Sequence, residues 1–399
     1  MRRVMVFTAT RAEYGLLRPV IERIAESRTL ELRLVVAGAH LAPWSGFSVR
    51  EIERDGFPVA VRIENLPASD CPGTLARFVG VGLIEIASHF DSERPDIVLL
   101  LGDRYELFIP ALAALLHRVP LAHLCGGEAT EGSIDEQVRH AITKMAHIHF
   151  PSTIEYGRRI RRMGEEAWRI HVVGAPGVEN ILRGHFAGAD ELRREFGIDP
   201  DRPTLLVTYH PETLTSDTDT RGQVSSLIHA LRQFPDLQQV ITYPGTEVGF
   251  RAIVEAWEEY AAGRTNVILR KSLGSRGYLG LMRRAVAVVG NSSSGIIEAP
   301  SLKVPTVNIG DRQKGRIRAD SVIDVSCTVE EIIAGIRRAL YDEEFRRRLD
   351  NVVNPYDPYG DGNVSGRVIK VLEEIPLDRR LLEKKLDFPS PEEVESFGR

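Results

Sequence analysis

Residues 121–141, LAHLCGGEATEGSIDEQVRHA, gather carboxylates into one short segment between two apolar stretches. Two glycines and Cys125 come first, and four acids follow, which are Glu128, Glu131, Asp135 and Glu136. Carboxylates in different surroundings can divide the tasks of general acid and general base, because each environment sets its own pKa. The segment therefore predicts proton-transfer chemistry.

A second segment predicts phosphate binding. Residues 290–295, GNSSSG, follow the apolar run AVAVV and lead into a helical stretch. Backbone N–H groups and hydroxyls then meet at a helix N-terminus, which favours an anion. The segment is neither a Walker A loop nor a GxGxxG turn, which argues against ATP hydrolysis and hydride transfer.

Other polar residues also follow apolar segments that have the length of strands. They are TRAE at 10–13, GDR at 102–104 and HPET at 210–213. Ordinary structural roles are open for several of them. Asp103 and Arg104 could form a surface pair, Ser133 and Glu136 have the spacing of a capping box, and Asp135 and Arg139 could pair along a helix. The arginines at 158, 159, 161 and 162 are expected on a solvated helix face.

The pattern of apolar runs and amphipathic stretches predicts two α/β domains. Strands are expected at 4–8, 32–38, 96–103, 119–124 and 147–150, and again at 204–210, 238–244, 266–270, 285–291 and 305–310, with helices between them. Repeated β-α-β units form parallel sheets that bind ligands beyond the carboxyl ends of the strands. The boundary between the domains is expected near 174–185. The ligand is expected in the cleft between the two domains. Residues 376–399 are expected to form a surface helix followed by a loose end.

Composition limits the partners of this 399-residue chain. The net charge is −5 and no basic stripe occurs, so nucleic acid is not an expected partner. Three separated cysteines fit a reducing cytoplasm and offer no disulfide framework or zinc site. The N-terminus MRRVMVFTATRAEYG lacks the features of a signal peptide, and no apolar run has the length needed to span a membrane.

In order along the chain, ATRAEYG, LGDRYE, HLCGGEATEGSIDEQVRHAITKMAH, YHPET and VVGNSSSGIIEAPSLKVPTVNIGDRQKGR resemble the hydrolysing UDP-N-acetylglucosamine 2-epimerases. The resemblance implies a glycosyltransferase-B type fold of two Rossmann-like domains with a cleft between them. It implies domains at 1–178, with the sugar and acid–base residues, and 179–360, with the nucleotide site. A helix in 361–399 returns to the first domain and precedes a tail. Homodimers or homotetramers are also implied, and no cofactor.

The resemblance also assigns roles to individual residues. Arg11, Arg104 and His210 match positions at or near the nucleotide diphosphate, and Arg312 matches a further arginine on the ligand side. Ser292 and Ser293, before Gly295, match phosphate-binding serines. Glu298 matches a carboxylate that holds the ribose, and Asp103 and Asp135 match catalytic acids. The catalytic set expected from the resemblance is Asp103, Asp135, Glu128 and His210.

Cys125 departs from the family pattern, which has a glutamate at this position. A neutral thiol cannot replace an acid, so Glu128 is the expected substitute. The implied reaction eliminates UDP from a UDP-N-acetylhexosamine to form a 2-acetamidoglucal and then adds water, which gives an N-acetylmannosamine-type sugar. It demands no metal. By resemblance, the departure also points to a different sugar, such as a 2,4-diacetamido-2,4,6-trideoxyhexose of legionaminic-acid-type pathways.

Three other functions fit the same fold. A non-hydrolysing epimerase would keep UDP on the product, but the form GGEATEGSID resembles the hydrolysing branch more. A retaining glycosyltransferase would need fewer proton-transfer groups than this acid cluster offers. An inactive nucleotide-sugar sensor would not need Asp103, Asp135, Arg11 and His210. The sequence does not distinguish UDP from GDP.

Overall fold

The fold was analysed in a computed structural model, which describes residues 1–43, 47–65, 71–212, 217–245, 247 and 249–398. The first half contains β1 Arg2–Thr8, α1 Arg11–Glu26, β2 Leu30–Ala37, α2 Val49–Arg54, β3 Val59–Ile63, α3 Pro72–Glu93, β4 Ile97–Leu101, α4 Phe108–Leu116, β5 Leu121–Leu124, α5 Asp135–Met145, β6 Ile148–Phe150, α6 Ile154–Arg162 and α7 Pro176–Leu182. The second half contains α8 Ala189–Phe196, β7 Thr204–Thr208, α9 Asp217–Leu231, β8 Gln238–Thr242, α10 Phe250–Ala261, β9 Val267–Arg270, α11 Gly274–Met282, β10 Ala287–Gly290, α12 Ser294–Ile297, β11 Thr306–Ile309, β12 Val322–Val325, α13 Val329–Tyr341, α14 Glu343–Leu349, α15 Val364–Glu374, α16 Arg379–Leu382 and α17 Pro391–Ser396.

The chain divides into two compact units. Unit 1 comprises Met1–Glu128, Asp135–Glu179 and Tyr356–Arg399, and unit 2 comprises Ala129–Ile134 and Asn180–Pro355. The chain leaves unit 1 twice, so the acid-rich segment itself contributes to both units. No helix in the described part of the chain has the length and apolar character needed to cross a membrane.

Unit 1 is built on a parallel sheet with the strand order β3-β2-β1-β4-β5-β6. Its central strand β4 reads IVLLL and is buried throughout, because apolar clusters cover both faces of the sheet. Helices α1 and α15 pack together on one face, and α3 and α4 pack together on the other. This is a doubly wound Rossmann-like arrangement.

Unit 2 repeats the arrangement with the order β12-β11-β10-β7-β8-β9. The predicted α/β class with two parallel sheets is therefore confirmed. The edge strands β3 and β12 were missing from the prediction. Edge strands are covered less completely than central ones, and β3 (VAVRI) and β12 (VIDV) accordingly carry charged residues that interrupt the apolar run.

The segment after α15 is attached to unit 1, so the predicted loose end is wrong. The buried Arg169 donates hydrogen bonds to the carbonyl oxygens of Arg380, Leu381 and Glu383, at 3.1, 2.8 and 3.0 Å. Arg161 bonds Asp387 at 2.8 Å and is itself buried, so the expected solvated helix face is wrong at this position. A guanidinium has five donors, which explains how one side chain can hold several carbonyls.

The same segment supplies a cation to a buried carboxylate. Glu165 accepts hydrogen bonds from Lys144 at 2.5 Å and Lys384 at 2.8 Å, and His149 Nε2 lies 3.1 Å away. Burial favours the neutral carboxyl, but the bonds from His149 and the two lysines outweigh it and lower the pKa of Glu165 to about 2. Burial also lowers the pKa values of His147 and His149 to about 4, so both are neutral packing residues at pH 7.

Replacing Glu165 by glutamine is expected to destabilise the protein at pH 7 and much less at pH 3. A carboxyl with a folded pKa of about 2 and an ordinary value of 4.5 contributes stability above pH 4.5, and loses it as the pH falls toward 2. The thermal unfolding midpoints of wild type and Glu165→Gln should be compared across this range. Glu155→Gln removes a half-exposed acid that pairs with Arg158 and Arg162, and is the control. If the midpoint difference between wild type and Glu165→Gln does not change with pH, the lowered pKa of Glu165 is contradicted.

Candidate active site

In unit 1, three candidate residues lie where the strand order reverses. Strands β1 and β4 are neighbours there although β2 and β3 lie between them in sequence. Arg11 follows β1, and Asp103 and Arg104 follow β4. Such a reversal leaves a crevice at the carboxyl ends of the strands, where doubly wound sheets bind their ligands.

The loop after β1 is fixed by a capping box. The Glu13 N–H donates to Thr10 Oγ1 at 3.3 Å, and Glu13 Oε2 accepts from the backbone N–H of Thr10 at 3.0 Å and of Ala9 at 2.7 Å. Arg11 is the first residue of α1, so the cap sets its position. Burial raises the pKa of Glu13 to about 7, against the lowering effect of Arg104.

Arg11 faces a cavity rich in arginine. The cavity measures about 710 Å³, and its lining also includes Arg50, Arg54, Glu51 and Glu53. Arg11 Nε lies 3.3 Å from Glu51 Oε2, and both side chains are about one-third exposed, at 32% and 30%. A partly exposed pair of this kind is weak, so an anionic ligand could compete with Glu51 for the guanidinium.

Arg104 is oriented by the next acid in the sequence. Its Nε and Nη2 donate to the two oxygens of Glu106 at 3.2 and 2.8 Å, and Glu106 is buried. This two-point pair fixes the plane of the guanidinium. The structure pairs Arg104 with Glu106, and the alternative of a surface pair between Asp103 and Arg104 stays a prediction.

The buried Arg139 connects three acidic positions. Its Nη2 donates to Asp103 Oδ2, and its Nη1 donates to Glu136 Oε2 at 2.6 Å and to the backbone carbonyl of Glu128 at 3.0 Å. Only 1% of the Arg139 side chain is exposed. Glu136 also lies 3.0 Å from His140 Nε2, one turn along α5.

The candidate acids Glu128 and Asp135 occupy different environments. Glu128 is buried, and its Oε1 accepts a hydrogen bond of 2.6 Å from Ser152. Asp135 is the first residue of α5 and partly exposed, and the helix dipole favours its charged form there. Different surroundings of this kind allow two carboxylates to take different proton-transfer roles.

The residues before Glu128 form a turn after β5. His123 Nε2 donates to the Gly102 carbonyl at 2.7 Å, while its Nδ1 lies 3.2 Å from Thr143 Oγ1. Burial lowers the pKa of His123 to about 4, so this histidine is neutral at pH 7. Cys125 has φ 63°, which is rare for a residue other than glycine, and it packs against the apolar cluster that contains residues of α1 and α15.

In unit 2, His210 lies at the corresponding reversal between β7 and β10. Its backbone N–H and carbonyl pair with the Asn291 side chain at 2.7 and 2.9 Å, so the two strand ends are joined. The Gly245 N–H donates to His210 Nδ1 at 3.3 Å. A neutral imidazole that accepts at Nδ1 carries its proton on Nε2, which can donate to a ligand.

The GNSSSG segment forms the turn from β10 into α12. Gly290 has φ 134°, and a Cβ atom there would lie 2.0 Å from the Thr208 carbonyl oxygen. Ser293 precedes the first turn of α12, and Ser292 Oγ accepts from the Ser294 N–H at 3.4 Å. Gly295 allows close packing, since a Cβ there would lie 2.6 Å from Thr306 Cγ2.

Two further candidates lie beside this turn. Glu298 is the residue after α12, and burial raises the pKa of its carboxyl. Arg312 Nη1 donates to the Asn291 carbonyl at 3.2 Å, and its Nη2 lies 3.9 Å from Glu247 Oε1. Within unit 2, His210, Arg312 and the serine turn are thus linked through Asn291. Thr213 of the HPET motif lies outside the described residues.

Four residues that bond candidate residues within their own unit were missing from the expected site. They are Glu106, Arg139, Ser152 and Asn291. Glu106 and Asn291 lie within motifs that the sequence singled out, so their proximity to the site was foreseeable. Ser152 is far from Glu128 in sequence, and no local pattern indicates their contact. Among the described residues, no group of three or more His, Cys, Asp and Glu side chains is arranged to hold a metal ion.

The chain is similar to known proteins over nearly its whole length. The model of a family described as UDP-N-acetylglucosamine 2-epimerase matches residues 22–373. A UDP-N,N'-diacetylbacillosamine 2-epimerase (hydrolyzing) of Legionella pneumophila is 37% identical over 384 residues, which is 96% of this chain and 99% of the relative. A GDP/UDP-N,N'-diacetylbacillosamine 2-epimerase (hydrolyzing) of Campylobacter jejuni is 37% identical over 81% of this chain and 84% of the relative.

A solved structure also matches the fold. The UDP-GlcNAc 2-epimerase of Neisseria meningitidis, bound to UDP-GlcNAc, superposes with a TM-score of 0.79 at 18% identity and covers 94% of this chain and 100% of that one. The prediction of two Rossmann-like domains of the glycosyltransferase-B type is confirmed at the level of the fold.

Proposed function

Because this chain belongs to the UDP-N-acetylglucosamine 2-epimerase family, we propose that it is a hydrolysing 2-epimerase for a UDP-2,4-diacetamido-2,4,6-trideoxyhexose. The products are the free 2-epimeric sugar and UDP. The observation that carries the proposal is the 37% identity, over 96% of the chain, to a relative named for hydrolysing epimerisation of UDP-N,N'-diacetylbacillosamine. UDP-N-acetylglucosamine is the second candidate substrate, since the family is named for it.

The proposed reaction has two balanced steps. In the first, a base removes the C2 proton, the C1–O bond breaks, UDP departs and a glycal forms. In the second, a proton is returned to C2 from the opposite face and water adds its hydroxyl to C1. We assign these proton transfers to Asp103, Asp135 and Glu128, whose different surroundings suit different protonation states.

The departing nucleotide needs positive charge and hydrogen-bond donors. We assign its diphosphate to Arg11, Arg104 and His210, with Ser292, Ser293, Gly295 and Arg312 completing the phosphate contacts and Glu298 binding the ribose. Groups fixed before the reaction stabilise developing charge better than groups that must reorganise. The capping box at Arg11 and the Glu106 pair at Arg104 support these roles. We also propose a homodimer or homotetramer, as the family resemblance implies, in the cytoplasm, which the three separated cysteines favour.

Product analysis in D2O tests the proposal. With UDP-N,N'-diacetylbacillosamine, the freed sugar should carry deuterium at C2, and UDP should appear in equal amount. GDP-N,N'-diacetylbacillosamine and UDP-N-acetylglucosamine should be compared in the same assay. An intact epimeric nucleotide sugar would identify a non-hydrolysing enzyme, and turnover only with an added acceptor would identify a transferase. EDTA should leave the rate unchanged.

Arg11→Ala and His210→Ala are each expected to lower kcat/KM by about 10- to 100-fold. A hydrogen bond to a charged group contributes about 1.5–3 kcal/mol, which corresponds to this range. The control is Arg18→Ala, which removes another α1 arginine whose 2.9 Å ion pair with Asp55 lies outside the assigned set. Wild-type kinetics in both test variants would show that the diphosphate binds elsewhere.

A further inference from the structure

We infer that Arg139 is the positioning residue of the acid–base machinery: it holds Asp103 and the turn that carries Glu128 in place from the helix that begins at Asp135. The inference rests on the proposed function, because it concerns the same carboxylates. Arg139 has no part in the roles assigned above.

The contacts of Arg139 reach all three segments that bear the candidate acids. Nη2 bonds the Asp103 carboxylate after β4, and Nη1 bonds the Glu128 carbonyl after β5 at 3.0 Å. The side chain itself starts from α5, one turn after Asp135. The planar guanidinium presents its donors in a fixed geometry, so the positions of these acceptors are coupled.

Burial makes these contacts strong and costly to lose. Only 1% of the Arg139 side chain is exposed, and its charge is balanced by Asp103 and Glu136. Removing one partner of a buried ion pair leaves an uncompensated charge, and a carboxylate without its guanidinium changes its protonation or its position. Asp103 is partly exposed, at 23%, so its carboxylate contacts Arg139 without being sealed from a ligand.

A second buried arginine shows what a purely structural role looks like in this protein. Arg169 is equally buried, but it donates to the carbonyls of His147, Arg380, Leu381 and Glu383 and pairs with Glu166. None of these partners is a candidate acid. Arg169 therefore provides a matched control of the same residue type, burial and unit.

Arg139→Ala is expected to lower kcat by about 100-fold, the effect of a misplacement of about 1 Å in a catalytic group. KM and the affinity for UDP should stay within about threefold, because the bonds of Arg139 described above go to Asp103, Glu136 and the Glu128 carbonyl, which carry proton-transfer roles or none and are not assigned to the nucleotide. Guanidinium chloride at millimolar concentration should restore part of the activity of Arg139→Ala and leave wild type unchanged. Arg139→Lys should retain more activity than Arg139→Ala but remain well below wild type, since an ammonium cannot reproduce the planar fork.

Arg169→Ala is expected to lower the thermal unfolding midpoint while the folded fraction keeps the wild-type kcat. Three results would overturn the inference: wild-type kcat in Arg139→Lys, a loss of kcat in folded Arg169→Ala equal to that in Arg139→Ala, or a fall in UDP affinity that accounts for the whole effect. If Arg139→Ala does not fold, Arg139→Lys decides. A wild-type chain without turnover on any of the three nucleotide sugars would instead refute the proposed function.

Discussion

Asp135→Asn is expected to lower kcat by about 100-fold or more, the usual contribution of a general acid or base. The substitution keeps the size of the side chain and its position at the start of α5, and removes its negative charge and its ability to exchange a proton. The measurement is single-turnover release of UDP from the nucleotide sugar. Binding of UDP, measured by calorimetry, should be unchanged.

Cys125→Ser is expected to keep most of the wild-type activity. The family resemblance implies a glutamate at the position of Cys125, but Cys125 lies in the turn at φ 63° and packs against apolar side chains of unit 1. We expect a thiol in this setting to fill space. Asp135→Asn and Cys125→Ser are both nearly isosteric. Comparing their activities therefore distinguishes a catalytic acid from a side chain that only fills space.

Thiol labelling gives an independent measure of the same point. Cys71 is exposed and should react with iodoacetamide at neutral pH, whereas Cys125 should react much more slowly. Peptide mass spectrometry distinguishes the two sites. Rapid labelling of Cys125, or a loss of activity in Cys125→Ser equal to that in Asp135→Asn, would show that the thiol is ionised and catalytic.

Gly290→Ala is expected to destabilise unit 2 by about 4 kcal/mol or more, a size reached only by severe steric or burial defects. The added Cβ would lie 2.0 Å from the Thr208 carbonyl oxygen, and φ 134° is a conformation that L-residues rarely adopt. Strands β10 and β7 pair at these two residues, so neither can move without loss of the pair. Gly290→Ala should also abolish nucleotide binding, because the turn from β10 into α12 would no longer form.

Gly274→Ala separates the conformational cost from the steric one. Gly274 has φ 65°, and no atom lies within 4 Å of a Cβ built there. Gly274→Ala should therefore lower the free energy of unfolding by only about 1–2 kcal/mol, the penalty of a left-handed residue. The thermal unfolding midpoints of both variants should be measured with and without UDP. Equal midpoints in Gly290→Ala and Gly274→Ala would mean that the clash with the Thr208 carbonyl does not determine the loss of stability.

Local patterns predicted the elements that carry the candidate site. Buried central strands such as β4 are continuous apolar runs, and the polar residues after them belong to the carboxyl ends of parallel strands. Arg11, Asp103 and His210 were therefore predictable at strand ends without knowledge of any contact. The edge strands β3 and β12 were not, because their charged residues weaken the pattern.

Contacts between distant residues were decided only by the tertiary structure. No spacing indicates that Arg139 holds Asp103, which lies 36 positions away, or that Ser152 binds Glu128. The attachment of the C-terminal segment through Arg169 and Lys384 was equally hidden, since its composition is that of a solvated tail. The sequence by itself determined the strands other than β3 and β12, their polar ends and the glycine-dependent turns, because these depend on backbone conformation and neighbouring residues. The pairing of buried charges depends on which strand lies beside which, and that order exists only once the sheets have formed.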